Sequence, residues 1–261
     1  MKAPFDQVLL AKPFVPGKVN PKGWYMSEKL DGVRAIWDGR GNLWSRNGKR
    51  FDAPDRFTRM LPTNVALDGE LTMGRGTFPT TISAVRSHGH DWAGVKFHVF
   101  DMPPLHAVKS NRNFRGRYDA IEEVTNVIVK RVTHTQCRGL GHLMGNMDWI
   151  ISKGGEGVML RDPWSLYEWC RSGTLLKVKR FLDAEATVIR HVPGKGKHLG
   201  RLGALECLTK DDVAFNVGTG FSDSEREQPP AVGSVITFRY QELTKAGVPR
   251  FPIFVSNRDY E

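Results

Sequence analysis

The chain has 261 residues, 40% hydrophobic and 25% charged, enough for one large domain or for one medium and one small domain. No apolar run approaches the ~20 residues of a membrane-spanning helix, and the N-terminal stretch lacks the apolar core of a secretory signal, so a cytoplasmic, non-membrane protein is expected. The net charge of +10 is unevenly held: residues 1–182 carry 28 basic and 17 acidic side chains, residues 183–261 carry 10 and 11, which points the N-terminal part toward a polyanion.

Cys137, Cys170 and Cys207 are far apart and show neither a disulfide framework nor zinc spacing. His88 and His90 have no companion ligands and read as an exposed loop. In chain order, strands are predicted at 34–38, 65–71, 96–101, 157–160 and 175–179, separated by turns rich in Gly, Pro and Asn. Helices are predicted at 79–87, 118–132 and 147–153, the middle one clearest because Ile121, Val124 and Ile128 recur at helical spacing. Residues 183–261 read as strands alone, at 186–191, 204–209, 214–217, 234–241 and 251–256. Five short strands joined by Gly-rich turns suit a small barrel, with a β-sandwich as the alternative. The fold class is therefore α+β: antiparallel sheets with flanking helices, then a small all-β domain.

Chemistry concentrates first in residues 27–34, SEKLDGVR. A lysine at a strand end serves as a nucleophile when it is unprotonated, which neighbouring cations favour. Asp31 can organise the turn, Gly32 lets the chain bend tightly, and Arg34 offers a fork-shaped donor for phosphate. This segment alone is a common strand turn. It is followed in order by SRNG at 45–48, LDGEL at 67–71, FHVFD at 97–101, EGVMLR at 156–161 and LLKVK at 175–179.

That succession resembles the ordered motifs of the nucleotidyltransferases that work through a covalent lysine: DNA ligases, RNA ligases and capping enzymes. The match is closest to minimal ATP-dependent DNA ligases of bacterial and viral type, through SEKLDGVRAIWDG, LDGELTMGRGTF, the Ser83–Arg86 segment, GTGF at 218–221 and RFPIF at 250–254. The resemblance implies an adenylyltransferase domain over 1–182 and an OB-fold domain over 183–261. It implies a DNA ligase that seals 3′-hydroxyl/5′-phosphate nicks in duplex DNA through a lysyl-adenylate and a DNA-adenylate.

Roles follow position by position. Lys29 would take AMP from ATP, and Lys177 and Lys179, on one face of a strand, would neutralise charge on the α-phosphate. Glu28, Arg34, Arg46, Glu70, Phe100 and Glu156 complete the expected nucleotide site, with Phe100 under the adenine. Glu70 and Glu156 are the expected ligands of Mg²⁺ or Mn²⁺. Asp31 and Asp68 look like organisers, and Arg258 and Asp259 would face the pyrophosphate. Arg46 and two basic stretches, Lys109 with Arg112, Arg115 and Arg117, and Lys195 with Lys197 and Arg201, are expected on the DNA backbone. The stretch 192–202 is too short for the long hairpin with which some viral relatives encircle DNA, so a monomer is expected to clamp DNA with its two domains alone. ATP is expected rather than NAD, because NAD-dependent relatives carry a module ahead of the lysine. An RNA ligase or GTP-using capping enzyme is the alternative enzyme, and a silent OB-type binding protein the alternative class.

Overall fold

The computed structural model describes residues 2–86, 92–104, 112–179, 181–240, 242–244 and 246–258. The chain divides into two compact units, Met1–Lys179 and Arg180–Glu261. In chain order the first unit contains β1 (Leu10–Pro13), β2 (Tyr25–Glu28), β3 (Val33–Trp37), β4 (Leu43–Ser45), α1 (Asp55–Thr58), β5 (Leu67–Thr72), α2 (Phe78–Arg86) and β6 (Lys96–Asp101). These are followed by α3 (Phe114–Asp119), β7 (Val129–Arg131), β8 (Thr135–Gln136), α4 (Leu140–Ser152), β9 (Val158–Arg161) and β10 (Arg171–Val178).

The strands form two five-stranded sheets, ordered β1-β10-β9-β2-β8 and β4-β3-β5-β6-β7. Alternation along each strand decides which side chains are buried. In the first sheet Met26, Val158, Leu160, Leu176 and Val178 pack on Leu143, Met147 and Ile150 of α4. In the second, Ala35, Trp37, Leu67, Leu71, Phe97 and Val99 enter a core with Phe57, Val85, Trp92 and Ile121. Residues one step along, including Ser27, Met159 and Lys177, and Arg34, Asp68 and Glu70, therefore lie on the opposite faces and line one cavity.

Three expectations are corrected. The sheets are mixed rather than antiparallel, because β1 pairs with β10 and β6 with β7 in parallel. The helix expected at 118–132 is instead α3, a 3-10 segment Ala120–Val124 and the strand β7. Asn126 stops it: its side-chain oxygen accepts from the backbone N–H groups of Ile128 and Val129, each at 2.8 Å. The β-branched run that follows is then taken up as the edge strand beside β6. The helix expected at 147–153 begins earlier, at Leu140. Gly141 and Gly145 dilute its sequence pattern, although Leu143 is fully buried.

The second unit contains β11 (Leu182–Pro193), β12 (Leu202–Thr209), β13 (Ala214–Val217), α5 (Asp223–Glu227), β14 (Val235–Tyr240), β15 (Glu242–Leu243), β16 (Pro249–Arg250) and β17 (Ile253–Arg258). Five of its strands form one sheet, β13-β12-β11-β14-β17. Its ends approach each other at a parallel bridge between Thr219, just after β13, and Ile253 of β17, so the sheet is rolled. The expectation of strands alone missed α5, which Ser222 and Glu225 start with a reciprocal capping box. Arg226 on α5 is buried and donates to the carbonyls of Leu202, Gly203 and Gly218, pinning the helix to the sheet. No described helix is long and apolar enough to cross a membrane.

Replacing Asn126 with Ala leaves two backbone donors without their acceptor. N126A should lower the unfolding free energy by about 1–2 kcal/mol in urea titration, with an unchanged m-value.

Candidate active site

The backbone of β2 delivers Lys29. The Lys29 N–H donates to the Gly157 carbonyl at 2.8 Å, extending the β2–β9 pairing one residue beyond Glu28↔Val158. Lys29 thus shares a face with Ser27, whose neighbours across the sheet are Met159 and then Lys177. Helix α4 delivers the opposing acid. It ends with Gly154 in the left-handed region (φ 78°) and with Gly155 N–H on Ile150 O and Gly154 N–H on Ile151 O, each at 2.9 Å. This Schellman stop releases the chain directly into Glu156. Gly157 follows with φ 152°, and a Cβ there would collide with the Val178 carbonyl, so glycine is required where β9 joins β10.

Lys29 Nζ and Lys179 Nζ both donate to the Glu156 carboxylate. Burial opposes the charge on Glu156, but Lys29 and Lys179 together outweigh it and hold the carboxyl below the usual glutamate range. Burial, then the neighbouring cations Lys179, Arg171 and Lys29, pull Lys177 below the usual lysine value. The sheet therefore presents three lysines around one carboxylate.

The second sheet supplies the facing wall. Arg34 pairs bidentately with Asp68, Nε to Oδ1 at 2.5 Å and Nη2 to Oδ2 at 2.6 Å, and also reaches the Leu9 carbonyl at 3.2 Å. The Tyr167 hydroxyl donates to Asp68 Oδ2 at 2.7 Å. Burial works against the charge on Arg34, but the Asp68 carboxylate outweighs it, so the guanidinium holds its proton more tightly than usual. The Arg34 guanidinium lies 4.6 Å from the centroid of the Phe100 ring. Beside Arg34 across β3 and β5 stands Glu70, which burial pushes up to about 7 against the pull of Arg34 and Lys29. Gly32 makes room for it, since a Cβ there would come within 2.8 Å of the Glu70 side chain.

These groups line a cavity of about 270 Å³ whose apolar parts include Met159, Leu175 and Phe100. Behind Phe100, Asp101 is held between Arg117, at 2.7 and 3.0 Å, and Arg161, at 3.4 Å. Burial pushes His134 at this end down to about 4, so its ring is neutral at pH 7.

The expected site residues fare differently. Glu28, Lys29, Arg34, Arg46, Glu70, Phe100 and Lys177 line the cavity, and Glu156 and Lys179 join it through Lys29. Arg34 and Asp68 are committed to each other, so Arg34 acts on the cavity mainly by shaping its floor. Glu28 is held by Arg75, and Asp31 is exposed on the turn before β3. Arg46 is exposed and makes no ion pair among the described residues. The DNA-contact expectation for Arg117 is corrected: it is 2% exposed and fully engaged with Asp101 and the Arg112 carbonyl. Arg112, Arg115, Lys195 and Lys197 are exposed. Arg201 is drawn toward Asp223 and Glu227 at 3.2 and 3.7 Å, and Arg258 pairs with Glu185 at 3.1 Å. Lys109, Asp259, His88 and His90 lie outside the described residues. The sequence reading missed Arg75, Met159 and Tyr167. Arg75 and Met159 sat inside quoted motifs between the residues chosen, whereas nothing local marks Tyr167.

No cluster of three or more His, Cys, Asp or Glu side chains that could hold a metal ion occurs among the described residues. Two acids fit a divalent ion nonetheless, because Mg²⁺ commonly takes one or two carboxylates and completes its shell with phosphates and water. Glu156 adds to the burial that raises Glu70, and a cation shared by the two acids would relieve it.

The family model for the ATP dependent DNA ligase domain matches residues 9–179, and that for the DNA ligase OB-like domain matches 193–258. A DNA ligase of Haemophilus influenzae is 37% identical over 234 residues, 89% of this chain and 86% of that protein. Among solved structures, one from a structure–function study of Lig E DNA ligases and DNA binding with a minimal scaffold superposes with a TM-score of 0.88. It is 39% identical, covering 97% of this chain and 99% of the other. The Chlorella virus DNA ligase-adenylate superposes with a TM-score of 0.57 at 26% identity, covering 97% of this chain and all of the other.

The raised Glu70 value makes stability depend on pH. Below its unfolded value of 4.5 the acid is protonated in both states and has no effect; above about 7 it is ionised in both and the folded state bears the cost. Glu70→Gln should therefore stabilise the metal-free, nucleotide-free protein increasingly between pH 4.5 and 7. Glu70 is only partly buried, so water tempers the gain to about 1–3 kcal/mol, read as the pH dependence of the denaturant midpoint.

Proposed function

Because this chain belongs to the ATP-dependent DNA ligase family, we propose that Lys29 is its nucleophile and that the cavity beside Lys29 receives the nucleotide. The enzyme joins a 3′-hydroxyl to a 5′-phosphate in DNA through three in-line phosphoryl transfers. In the first, Lys29 Nζ forms a bond to the α-phosphorus of ATP as the bond to pyrophosphate breaks. In the second, an oxygen of the DNA 5′-phosphate takes the adenylyl group and frees Lys29. In the third, the 3′-hydroxyl attacks the 5′-phosphorus and AMP departs.

The observation that carries the assignment is the Glu156 carboxylate bonded to both Lys29 and Lys179. Glu156 fixes the amine in direction, and Lys177 and Lys179 stand where charge builds on the α-phosphate. Phe100 and Met159, one from each sheet, are the apolar surfaces for the adenine, and Arg34 braces the Phe100 ring. Arg46 supplies a free fork for a phosphate. A divalent cation held by Glu70 and Glu156 would neutralise phosphoryl oxygens. Arg112, Arg115, Lys195 and Lys197 track the backbone of a nicked duplex, bound by a single copy of the chain. Exposed cations suit this because they read no sequence.

Incubation with α-labelled ATP and Mg²⁺, followed by a denaturing gel, tests the nucleophile. Wild type stripped of bound AMP should take label from ATP and not from GTP or NAD, and K29A should lose it by at least ~1000-fold. Equal labelling of K29A, or a folded wild type that takes label from no donor, refutes the assignment. For the DNA contacts, the double variant K195A/K197A should bind nicked duplex more weakly, with the slope of log K against log salt reduced by about 2.

A further inference from the structure

Arg75 lies on the turn after β5, between Gly74 (φ 120°) and Gly76 (φ 69°), and the reaction described above gives it no task. Its guanidinium nevertheless makes three connections. Nε and Nη2 donate to the two carboxylate oxygens of Glu28, each at 2.7 Å, and Nη1 donates to the Lys153 carbonyl at 3.2 Å. Glu28 is the residue immediately before Lys29. Lys153 is the C-terminal cap of α4, three residues before Glu156. One side chain from the turn that follows the strand carrying Asp68 and Glu70 thus grips both backbone segments that present Lys29 and Glu156.

The chemistry of the grip is specific. A parallel pair of N–H donors on one carboxylate fixes direction as well as distance. The third donor satisfies a terminal helix carbonyl that has no partner within α4, and places a cation at the negative end of that helix. The Glu28 carboxylate is further packed against the helix stop, since a Cβ on Gly155 would lie 2.9 Å from Glu28 Oε1. With Arg75 at 37% and Glu28 at 23% side-chain exposure, water screens the pair and its contribution to overall stability is small. What remains is geometric: the three bonds set where Lys29 stands relative to Glu156.

We infer that Arg75 is a positioning residue for lysine adenylylation, acting through Glu28 and the α4 terminus rather than by touching the nucleotide. The inference rests on the reading of Lys29 as nucleophile. Misplacing a nucleophile by an ångström or less slows the chemical step without removing binding contacts, so the effect belongs in kcat.

Single-turnover label transfer from α-labelled ATP, measured across ATP concentrations, tests it with wild type, R75A, R75K, E28A and R75A/E28A. R75A should lower the maximal rate about 10- to 100-fold and leave the ATP concentration at half-maximal rate within about threefold. R75K should not recover the rate, because an ammonium cannot fork onto a carboxylate. The double variant should be no slower than R75A, since both substitutions break one linkage. Thermal unfolding should place R75A and R75K close to wild type. A wild-type rate in R75A, full recovery in R75K, a loss confined to the half-saturating ATP concentration, or multiplicative losses in the double variant overturns the positioning role. If R75A fails to fold, R75K and E28A decide by the same criteria. A wild type that takes no label refutes the nucleophile reading and this inference with it, whereas a labelled wild type matched by R75A refutes only the latter.

Discussion

Lys29, Lys177 and Lys179 are gathered on one face of one sheet, and like charges at that spacing repel unless something negative stands among them. Glu156 is that group, and its carboxylate receives Lys29 and Lys179 together. The pull of the two lysines exceeds the cost of burying the acid, so the arrangement persists before any phosphate arrives. The surrounding structure is organised to bring the acid there: α4 packs on the rear of the sheet, the glycine stop ends it, and Gly157 lets β9 begin against β10 without collision. On the proposed reading, a nucleotide carrying its own negative charge would enter a site already shaped for it. Pre-set charge of this kind needs little reorganisation during the reaction.

The facing wall uses a different device. Asp68 with Arg34 and Tyr167, and Asp101 with Arg117 and Arg161, put two carboxylates and the Arg117 and Arg161 guanidinium groups out of water, with Arg34 partly covered. Such layers contribute little net stability, because desolvation offsets most of the attraction, but loss of one partner strands a buried charge at a cost of about 3–5 kcal/mol. Their effect is to hold the cavity wall in one arrangement. Arg34 supports the Phe100 ring from behind, and the second layer closes the end beyond it. The Arg161 Nε has no hydrogen-bond partner among the described residues, so that second layer is not fully satisfied by protein groups alone.

In the second unit, Arg226 is the one buried polar or charged side chain among the described residues. A rolled sheet buries Val188, Leu205, Val217, Ile236 and Phe238, and Arg226 ties α5 across the start of β12 and the segment just after β13. The loop between β11 and β12 is closed by Gly194 N–H on the Arg201 carbonyl at 2.9 Å, which presents Lys195 and Lys197 on a short, ordered turn. Arg201 serves the loop from within rather than reaching outward, held by acids of α5. A compact basic turn of this kind suits the proposed contact with phosphates over a small span.

By itself the sequence determined the reaction chemistry and the broad architecture. The lysine motif, LDGEL, FHVFD, EGVMLR and LLKVK are contiguous runs whose residue types and strand periodicity are local properties, and they carried the family, the mixture of helix and strand, and the residues around Lys29. Interactions between distant segments lay beyond it. Whether the run after Val124 stays helical depends on Asn126 and on an open sheet edge beside β6, not on its own periodicity, so 118–132 was read as one helix. Arg117 looked like a surface cation among others until the fold brought Asp101 to it, and Arg34 looked like a phosphate ligand until Asp68 claimed its fork. Tyr167 and the grip of Arg75 on Glu28 and Lys153 join residues 99, 47 and 78 positions apart. Charge and residue type are written along the chain, but the partner that decides what a charge does is chosen only when the sheets close on one another.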